Sequence, residues 1–434
     1  MQQNYDVIIV GGGTTGVCAA VAAARNGADV ALVEINGFLG GNAAAGLPWL
    51  GFHHPDGTLV ADGVIHEILQ RLQSVGGASK FIKDPIAGSA VAVNSVWLKI
   101  VLAELMTEEN VDMYLHSLAS EVEVKNGRVE SVLIRSKEGA QSLNAKVIVD
   151  CTDSADVAVL AGAQYCLGRE GDHKTQVASY TFSVGGIDME AMLKYFEENP
   201  DQIRPFPMPE KVQLRLVEQM RSAPLFILGA FPKLVEKAVA DGLDFPRRQI
   251  VGIGYPREEE MLLVTTRVAD VNPNDVRAHS WAELEGQKQV RPVFEFIKQY
   301  MPGGADARLL ASAHQIGVRE TRHVFGDYWL TGDDLMAGRK FPDAIARGGY
   351  HLDVHSPDHK GLETSQPPVY EIPYRSLLPQ GLENVLVAGR CISADHQAMS
   401  STRVIPIAGA TGEGSGRAAA LSLEKDITLR ELVW

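Results

Sequence analysis

Asp6-Val7-Ile8-Ile9-Val10-Gly11-Gly12-Gly13-Thr14-Thr15-Gly16 is the stretch on which the reading of this chain turns. A run of apolar, β-branched residues enters a glycine turn, and an alanine-rich segment follows directly. The order predicts a buried strand, a tight turn and a helix from about Thr14 to Asn26, closed by Gly27. Asp29–Glu34 then supplies a second apolar strand. Strand, helix and strand in this order form a βαβ unit, which requires a parallel sheet. Within it Gly11, Gly13 and Gly16 fill the three positions of the GxGxxG fingerprint. The first permits the tight turn, the second lets backbone approach a diphosphate, and the third brings helix and strand together. Thr14 and Thr15 open the helix, where unpaired N–H groups and the positive end of the dipole face an anion. Glu34 ends the second strand about 20 residues on, where a carboxylate meets the two hydroxyls of a ribose. An ordinary solvated strand end is the competing reading of Glu34.

Helical periodicity marks 61–74 and 95–110. From Ala119 the pattern changes to two-residue alternation. Three strands follow, 121–125, 129–135 and 142–149, joined by turns at Asn126-Gly127 and Glu138-Gly139. Asn-Gly suits a tight hairpin because both residues tolerate positive φ. This antiparallel meander feeds the apolar strand 146–149. Further on, helices are predicted at 188–197, 209–221, 232–240 and 275–300, and a strand at 261–268. Residues 356–374 are Pro- and Gly-rich and read as a surface crossing. Strand 384–388 and the Ala/Gly-rich helix 406–423 return to the opening texture. One cofactor domain assembled from separated pieces, with a substrate domain inserted, accounts for this order.

At 434 residues the chain exceeds a single ordinary core, and its composition is that of a folded protein: 45% hydrophobic and 22% charged. Forty Lys plus Arg against 54 Asp plus Glu give a net charge of −14. That balance argues against a nucleic-acid partner. Cys18, Cys151, Cys166 and Cys391 are scattered without metal-ligand spacing, so no metal site is expected. No apolar run approaches the roughly 20 residues of a membrane span, and with no cationic-then-apolar leader the cytoplasm is the expected compartment.

Several further segments resemble the FAD-dependent oxidoreductase family, the glutathione-reductase-like flavoproteins related to the fumarate reductase and succinate dehydrogenase flavoproteins. Gly37-Phe38-Leu39-Gly40-Gly41-Asn42 looks like the family's second glycine turn. Asp150-Cys151-Thr152-Asp153-Ser154-Ala155-Asp156 looks like its Asp-Ala-Thr-Gly-Asp-Ala-Asp segment. Gly389-Arg390-Cys391-Ile392-Ser393-Ala394 resembles its late flavin-contacting loop. Gly317–Arg322 and Tyr370–Leu377 are also similar to family signatures. The resemblance implies an α/β fold, with a Rossmann-like FAD-binding domain (1–50, 95–168 and 370–434) that carries the meander. An inserted α+β substrate domain (51–94 and 169–369) completes it. It also implies cofactor contacts from Gly40, Gly41, Asn42, Cys151, Thr152, Asp153, Gly389 and Arg390. Two positions depart from the pattern. Asp153 stands where the family has glycine, and Arg390 stands where many relatives carry an aspartate, for which Asp395 is the nearby alternative. In the final helix, Pro406 suits a first turn, while Gly409 and Gly412 admit a flavin ring or another helix. Some relatives bind FAD covalently through a histidine after the early strand; 42–46 contains none, so non-covalent FAD is expected.

Flavin chemistry needs a group that moves a proton while a hydride passes to or from N5. His396 and Arg403 lie between the late loop and the final helix. Arg319, Arg322, His323, His351 and Arg375 belong to segments expected to line an opposite wall. His396 or His351 is the acid/base candidate; Arg319, Arg375 and Arg403 are candidate clamps for an anionic group. A structural histidine and an ordinary ion pair are the competing readings. The function so read is hydride exchange with a small polar substrate, a carboxylate-bearing one included. No second fingerprint in a βαβ context is present, because Gly252-Ile253-Gly254 runs into Tyr-Pro-Arg, so electrons pass to a separate acceptor: oxygen, a quinone or a carrier. An NAD-dependent dehydrogenase and a flavin-fold binding or RNA-modification protein are the alternatives. The meander and the late glycine helix disfavour the first, and the acidic balance disfavours the second.

Overall fold

The computed structural model describes residues 3–203, 217–358 and 362–434. Contacts divide the chain into two units: residues 1–44, 49–176 and 320–434 form one, and residues 45–48 and 177–319 the other.

The first unit is built on the opening βαβ. Strand β1 (Gln3–Val10), helix α1 (Thr14–Arg25) and strand β2 (Val30–Val33) follow the predicted order. Helices α2 (Val64–Ser74) and α3 (Ser95–Glu108) come next, then the short strand β3 (Asp112–Tyr114). The meander is strands β4 (Leu118–Lys125), β5 (Arg128–Ser136) and β6 (Gly139–Asp150). Strand β6 is 12 residues long because it serves two pairings. Its first half runs antiparallel to β5, while its length from Leu143 to Asp150 lies parallel to β1. The sheet runs β3-β2-β1-β6-β5-β4, and β10 (Val385–Val387) adds parallel to β6. Val7 to Val10 and Val30 to Val33 are buried, as expected of parallel strands covered on both faces.

Helix α6 (Ile405–Glu424) covers this sheet beside α1. Gly412 and Gly416 set that approach: a Cβ on Gly412 would overlap the carbonyl of Thr15, and one on Gly416 the carbonyl of Ala19. Helix α2 is amphipathic, burying Val64, Ile65, Ile68, Leu69 and Leu72. Its first turn is tied to α6 where the Val64 N–H donates to Glu413 Oε2 at 2.7 Å. Glu67 is bonded to Arg25 of α1. These contacts correct the expected boundaries. Residues 51–94, and the described residues of 320–369, belong to the same unit as this sheet.

Further first-unit elements include α4 (Asp156–Leu160), β7 (Tyr165–Leu167), β8 (Arg322–Val324), β9 (Leu352–His355) and α5 (His396–Thr402). β7 pairs with β8. β9 forms a hairpin with 362–365, and 370–373 pairs with 344–348. The segment read as a surface crossing therefore carries strands.

The second unit holds a five-stranded sheet ordered 226–230, 250–255, 260–263, 182–185, 308–312. The helix predicted at 275–300 spans Val276–Gln299, those at 188–197 and 232–240 are present, and the strand expected over 261–268 is only Glu260–Leu263. The first part of the helix predicted at 209–221 lies outside the described residues. Gly252 and Gly254 sit inside strand Ile250–Tyr255, where a Cβ on Gly254 would overlap the Phe226 ring. Their glycines serve sheet packing.

Gly416→Ala is expected to push α6 off α1 and destabilise the protein by about 1–3 kcal/mol, the range for overpacking a tight contact. A thermal melt compared with wild type checks this; an unchanged midpoint would show the helices free to separate.

Candidate functional site

Register puts three strand ends at one level. Val10 pairs with Asp150, and Asp150 with Val387. The chain then leaves the sheet through Gly11, Cys151 and Gly389, at the carboxyl edge where open parallel sheets bind ligands. The loops are stitched together. Cys151 N–H donates to the Val10 carbonyl at 2.7 Å, and Ala388 N–H to the Asp150 carbonyl at 3.0 Å. Gly11 has φ +103°, and a Cβ there would overlap the Cys151 carbonyl. Gly16 is equally closed, since its Cβ would strike the Gly11 carbonyl.

Gly13 differs. Its backbone is ordinary, φ −63° and ψ 174°, and a Cβ there would meet nothing within 4 Å. Space and helix start coincide at this residue. Among the described residues no side chain caps α1, and its first turn holds no acidic residue. The donors left at Thr14, Thr15 and Gly16 fit a diphosphate. Glu34 is buried; its Oε2 accepts the Gly12 N–H at 2.6 Å, and its Oε1 accepts two donors of Asn36 at 2.7 Å. A carboxylate has about four acceptor sites, so capacity remains for ribose hydroxyls. Gly40 N–H donates to the Gly12 carbonyl at 2.9 Å, and Gly41 lies against Gly13, with Asn42 following. These residues fit an adenosine diphosphate moiety.

After β6, the buried Asp150 organises the second loop. Its Oδ1 accepts Thr152 N–H at 3.0 Å and Thr152 Oγ1 at 2.6 Å, and its Oδ2 accepts Ala158 N–H at 2.9 Å. Burial, with help from the Asp156 charge, pushes its carboxyl up to about 6 despite these donors. Asp153 adopts φ +69°, the left-handed region that aspartate tolerates better than most side chains. Its carbonyl accepts from Thr321 Oγ1 at 2.5 Å and from Arg390 Nε at 3.4 Å, while its carboxylate lies 3.4 Å from Arg390 Nη2. The two departures from the family pattern thus face one another. Gly389 donates its N–H to Thr411 Oγ1 of α6 at 3.0 Å and lies against Thr15. Gly409 lies against Ile65 of α2 and Gly412 against Thr15, so both serve helix packing. Burial pushes the Cys151 and Cys391 thiols well up, which keeps both protonated.

A second polar centre surrounds α5. Glu320 is 0% exposed and accepts from three sides. His396 Nδ1 lies 2.8 Å from Oε1 and 2.9 Å from Oε2. His323 Nε2 lies 3.0 Å from Oε1, and the Gln176 N–H donates to Oε2 at 2.8 Å. Burial would raise the Glu320 carboxyl, but the two imidazoles outweigh it and hold it down to about 2. Beside this lies Asp353 on β9, 3.3 Å from His355 Nε2, 3.8 Å from His351 Nε2 and 3.1 Å from Arg403 Nη2. Burial opposes its charge, yet those groups hold the carboxyl well below the usual range. Gln176 joins the centres, because its Oε1 accepts the His355 N–H at 3.0 Å. Buried polar atoms gather here that have no hydrogen-bond partner among the described residues: His396 Nε2, His351 Nδ1, His323 Nδ1, Gln176 Nε2, Thr402 Oγ1 and Arg403 Nε.

Of the sequence candidates, His396, His351 and Arg403 stand in this centre. Arg375 does not: its guanidinium is half-exposed, bound to Asp343 at 2.9 Å and stacked over Tyr328. That corrects the wall position expected for it. Arg319 belongs to the second unit, where its Nη1 donates to the Val177 carbonyl and Ser179 Oγ at 2.6 and 3.0 Å. Arg322 pairs with Asp156 at 2.6 Å. Asp395 is no replacement for the missing aspartate at 390, because its carboxylate caps α5 and accepts the Gly332 N–H. Glu320, Asp353, His355 and Gln176 escaped the sequence reading. Of these, Glu320 lay within a segment likened to a family signature, Gly317–Arg322, next to the candidate His323.

A family model described as FAD dependent oxidoreductase matches residues 6–433. No curated protein matches the chain. Among solved structures it is similar to the myxobacterial chondrochloren halogenase CndH (12% identity, 99% of this chain and 77% of that one, TM-score 0.50). It is also similar to a geranylgeranyl bacteriochlorophyll reductase-like protein from Thermoplasma acidophilum (13%, 98% and 80%, TM-score 0.47). A third is p-nitrophenol 4-monooxygenase from Pseudomonas putida (12%, 98% and 82%, TM-score 0.46). The first of these supports the same fold.

The open space at Gly13 separates folding from binding. Gly13→Ala is expected to leave the melting midpoint of flavin-free protein unchanged while weakening FAD about 5- to 150-fold, the equivalent of a 1–3 kcal/mol overpacking cost. Fluorescence titration of flavin-free protein measures it; unchanged affinity would place the diphosphate elsewhere.

Proposed function

This chain belongs to the FAD-dependent oxidoreductases, and from that premise we propose that it oxidises or reduces a small polar, carboxylate-bearing or similarly anionic substrate with His396 as acid/base. When bound, FAD supplies the two-electron chemistry, exchanging a hydride at N5. The observation that carries the reading is the His396–Glu320 pair. Glu320 occupies Nδ1, while Nε2 is buried and has no partner among the described residues. An imidazole backed by a buried carboxylate, with its far nitrogen open, is built to take a proton and return it.

Arg403 supports it as an anchor. Its Nη2 is held by Asp353 while its Nε has no partner among the described residues, which leaves a donor for an acceptor on the substrate. His351 has an unpartnered Nδ1 and stands as the alternative acid/base. Within the family, kinship to the fumarate reductase and succinate dehydrogenase flavoproteins rests on the segments 150–156 and 389–394. Electrons go to a separate acceptor, since Gly252 and Gly254 lie in a strand. The four cysteines are all free, as suits a reducing cytoplasm. The charge of −14 disfavours nucleic acid. Among the described residues no helix is long and apolar enough to cross a membrane.

Purified protein is expected to be yellow with releasable FAD, and to bleach anaerobically with one class in a panel of hydroxy acids, amines and sugars. His396→Ala should keep its flavin but slow bleaching by roughly 10²- to 10⁴-fold, the usual contribution of a positioned acid/base. Protein that is colourless and cannot be reconstituted would sink the whole reading; a full bleaching rate in the variant would remove His396 from it.

A further inference from the structure

One carboxylate serves two imidazoles in this site, and the two are not equivalent. Glu320 accepts from Nδ1 of His396 and from Nε2 of His323. Both bonds fix a tautomer, because a carboxylate only accepts: His396 must carry hydrogen on Nδ1 and His323 on Nε2. What remains on each ring is a lone pair, on His396 Nε2 and on His323 Nδ1.

Their surroundings decide which lone pair takes a proton. His323 is 1% exposed, packed edge-on to Trp329, and its Nδ1 has no acceptor among the described residues. Protonating either bare nitrogen would bury a charged N–H without a partner among the described residues, which is costly, so the deeper ring, His323, is the worse place for it. His396, at the start of α5, is 8% exposed and is the less deeply buried of the two rings. The single charge of Glu320 also balances one imidazolium and not two.

We propose that Glu320 is a positioning residue that fixes the Nδ1–H tautomer of His396 and leaves Nε2 as the proton acceptor. His323 stays neutral, as the second donor that pins the carboxylate. This rests on the reading of His396 given above. In the step, a substrate O–H or N–H bond breaks, an Nε2–H bond forms, and the new imidazolium is balanced by the anionic Glu320; the reverse step returns the proton. Other titratable groups face the cluster: Cys166 on β7, Glu170 beyond it, Asp395 at the start of α5, and, across Gln176, Asp353 with His355. Among the described residues, the partner of the His396 and His323 donor nitrogens is Glu320.

The test is nitrogen-15 NMR of histidine-labelled holoenzyme, with His396→Ala and His323→Gln identifying the two rings among the 12 histidines. At high pH His396 is expected to show hydrogen on Nδ1 and a bare Nε2, and on acidification it should titrate before His323. Glu320→Gln should lower the His396 titration by about one to three pH units, the usual effect of a neighbouring opposite charge. The rising limb of the kcat/KM profile should move with it. His323→Gln keeps one N–H for Glu320 and should leave the His396 titration in place. An Nε2–H tautomer in the wild type, His323 titrating first, or an unmoved titration in Glu320→Gln would each overturn the assignment. The wild-type spectrum decides even if Glu320→Gln does not fold. It is read without turnover, so the pairing stands or falls apart from the catalytic reading.

Discussion

Backbone touching backbone is the constraint on which the rest of the first unit depends. Helix α6 lies so close to α1 that the positions facing Thr15 and Ala19 admit only hydrogen, and the loop after β1 lies equally close to the loop after β6. Closeness of this kind gathers the carboxyl ends of β1, β6 and β10 into one edge. Loops that arrive from residues 11, 151 and 389 then share a few ångströms of space. A long cofactor whose diphosphate joins an adenosine to a flavin needs such convergence, because no single loop reaches along its length. Glycine at these positions lowers the stability of each element and is kept for the approach it allows.

The same constraint explains how far the fold was legible. Strand β1, the fingerprint and α1 are contiguous, and each glycine has a local reason. The meander was legible because its turns are local too, and the structure lengthens its strands by only a few residues. What sequence periodicity could not show was which face α2 covers. Its apolar stripe is plain at 61–74, but the partners are Glu413, some 350 residues away, and Arg25. Assigning 51–94 to the inserted domain followed from position along the chain, and packing decides otherwise. The linker reading of 356–374 failed for a related reason, since Pro and Gly also flank short strands whose pairing partners are remote.

The site divides in the same way. Residues that fit a diphosphate belong to motifs a few residues long, so their grouping could be read directly. The polar centre at α5 is assembled from 176, 320, 323, 351–355, 396 and 403, and nothing in the spacing joins Glu320 to His396, 76 residues apart. Arg375 looked as good a candidate as Arg403 because both are arginines near a late loop. Their difference is the setting of the carboxylate each one meets: half-buried Asp343, which leaves Arg375 at the surface, and buried Asp353, which draws Arg403 inward. Asp153 and Arg390 show a further limit. Read singly, each is a defect in a pattern; in space the guanidinium meets the carbonyl and carboxylate of the aspartate, so one departure accommodates the other.

Burial alone does not say what a carboxylate is for, and three deep ones here make the point. Asp150 is surrounded by neutral donors, a hydroxyl and two backbone N–H groups, and burial still wins, so its carboxyl rises to about 6. Glu320 is as deep, yet two imidazoles bring it to about 2, and Asp353 is driven down by imidazoles and a guanidinium. Neutral donors can hold a loop in shape without committing the carboxylate to a charge. Partners that can themselves carry a proton commit the carboxylate to its charge. Asp150 therefore belongs to the architecture of the strand ends. Glu320 and Asp353 sit beside His323, His396 and His351, each of which has one ring nitrogen without a partner among the described residues, and the proposed acid–base role rests on that arrangement.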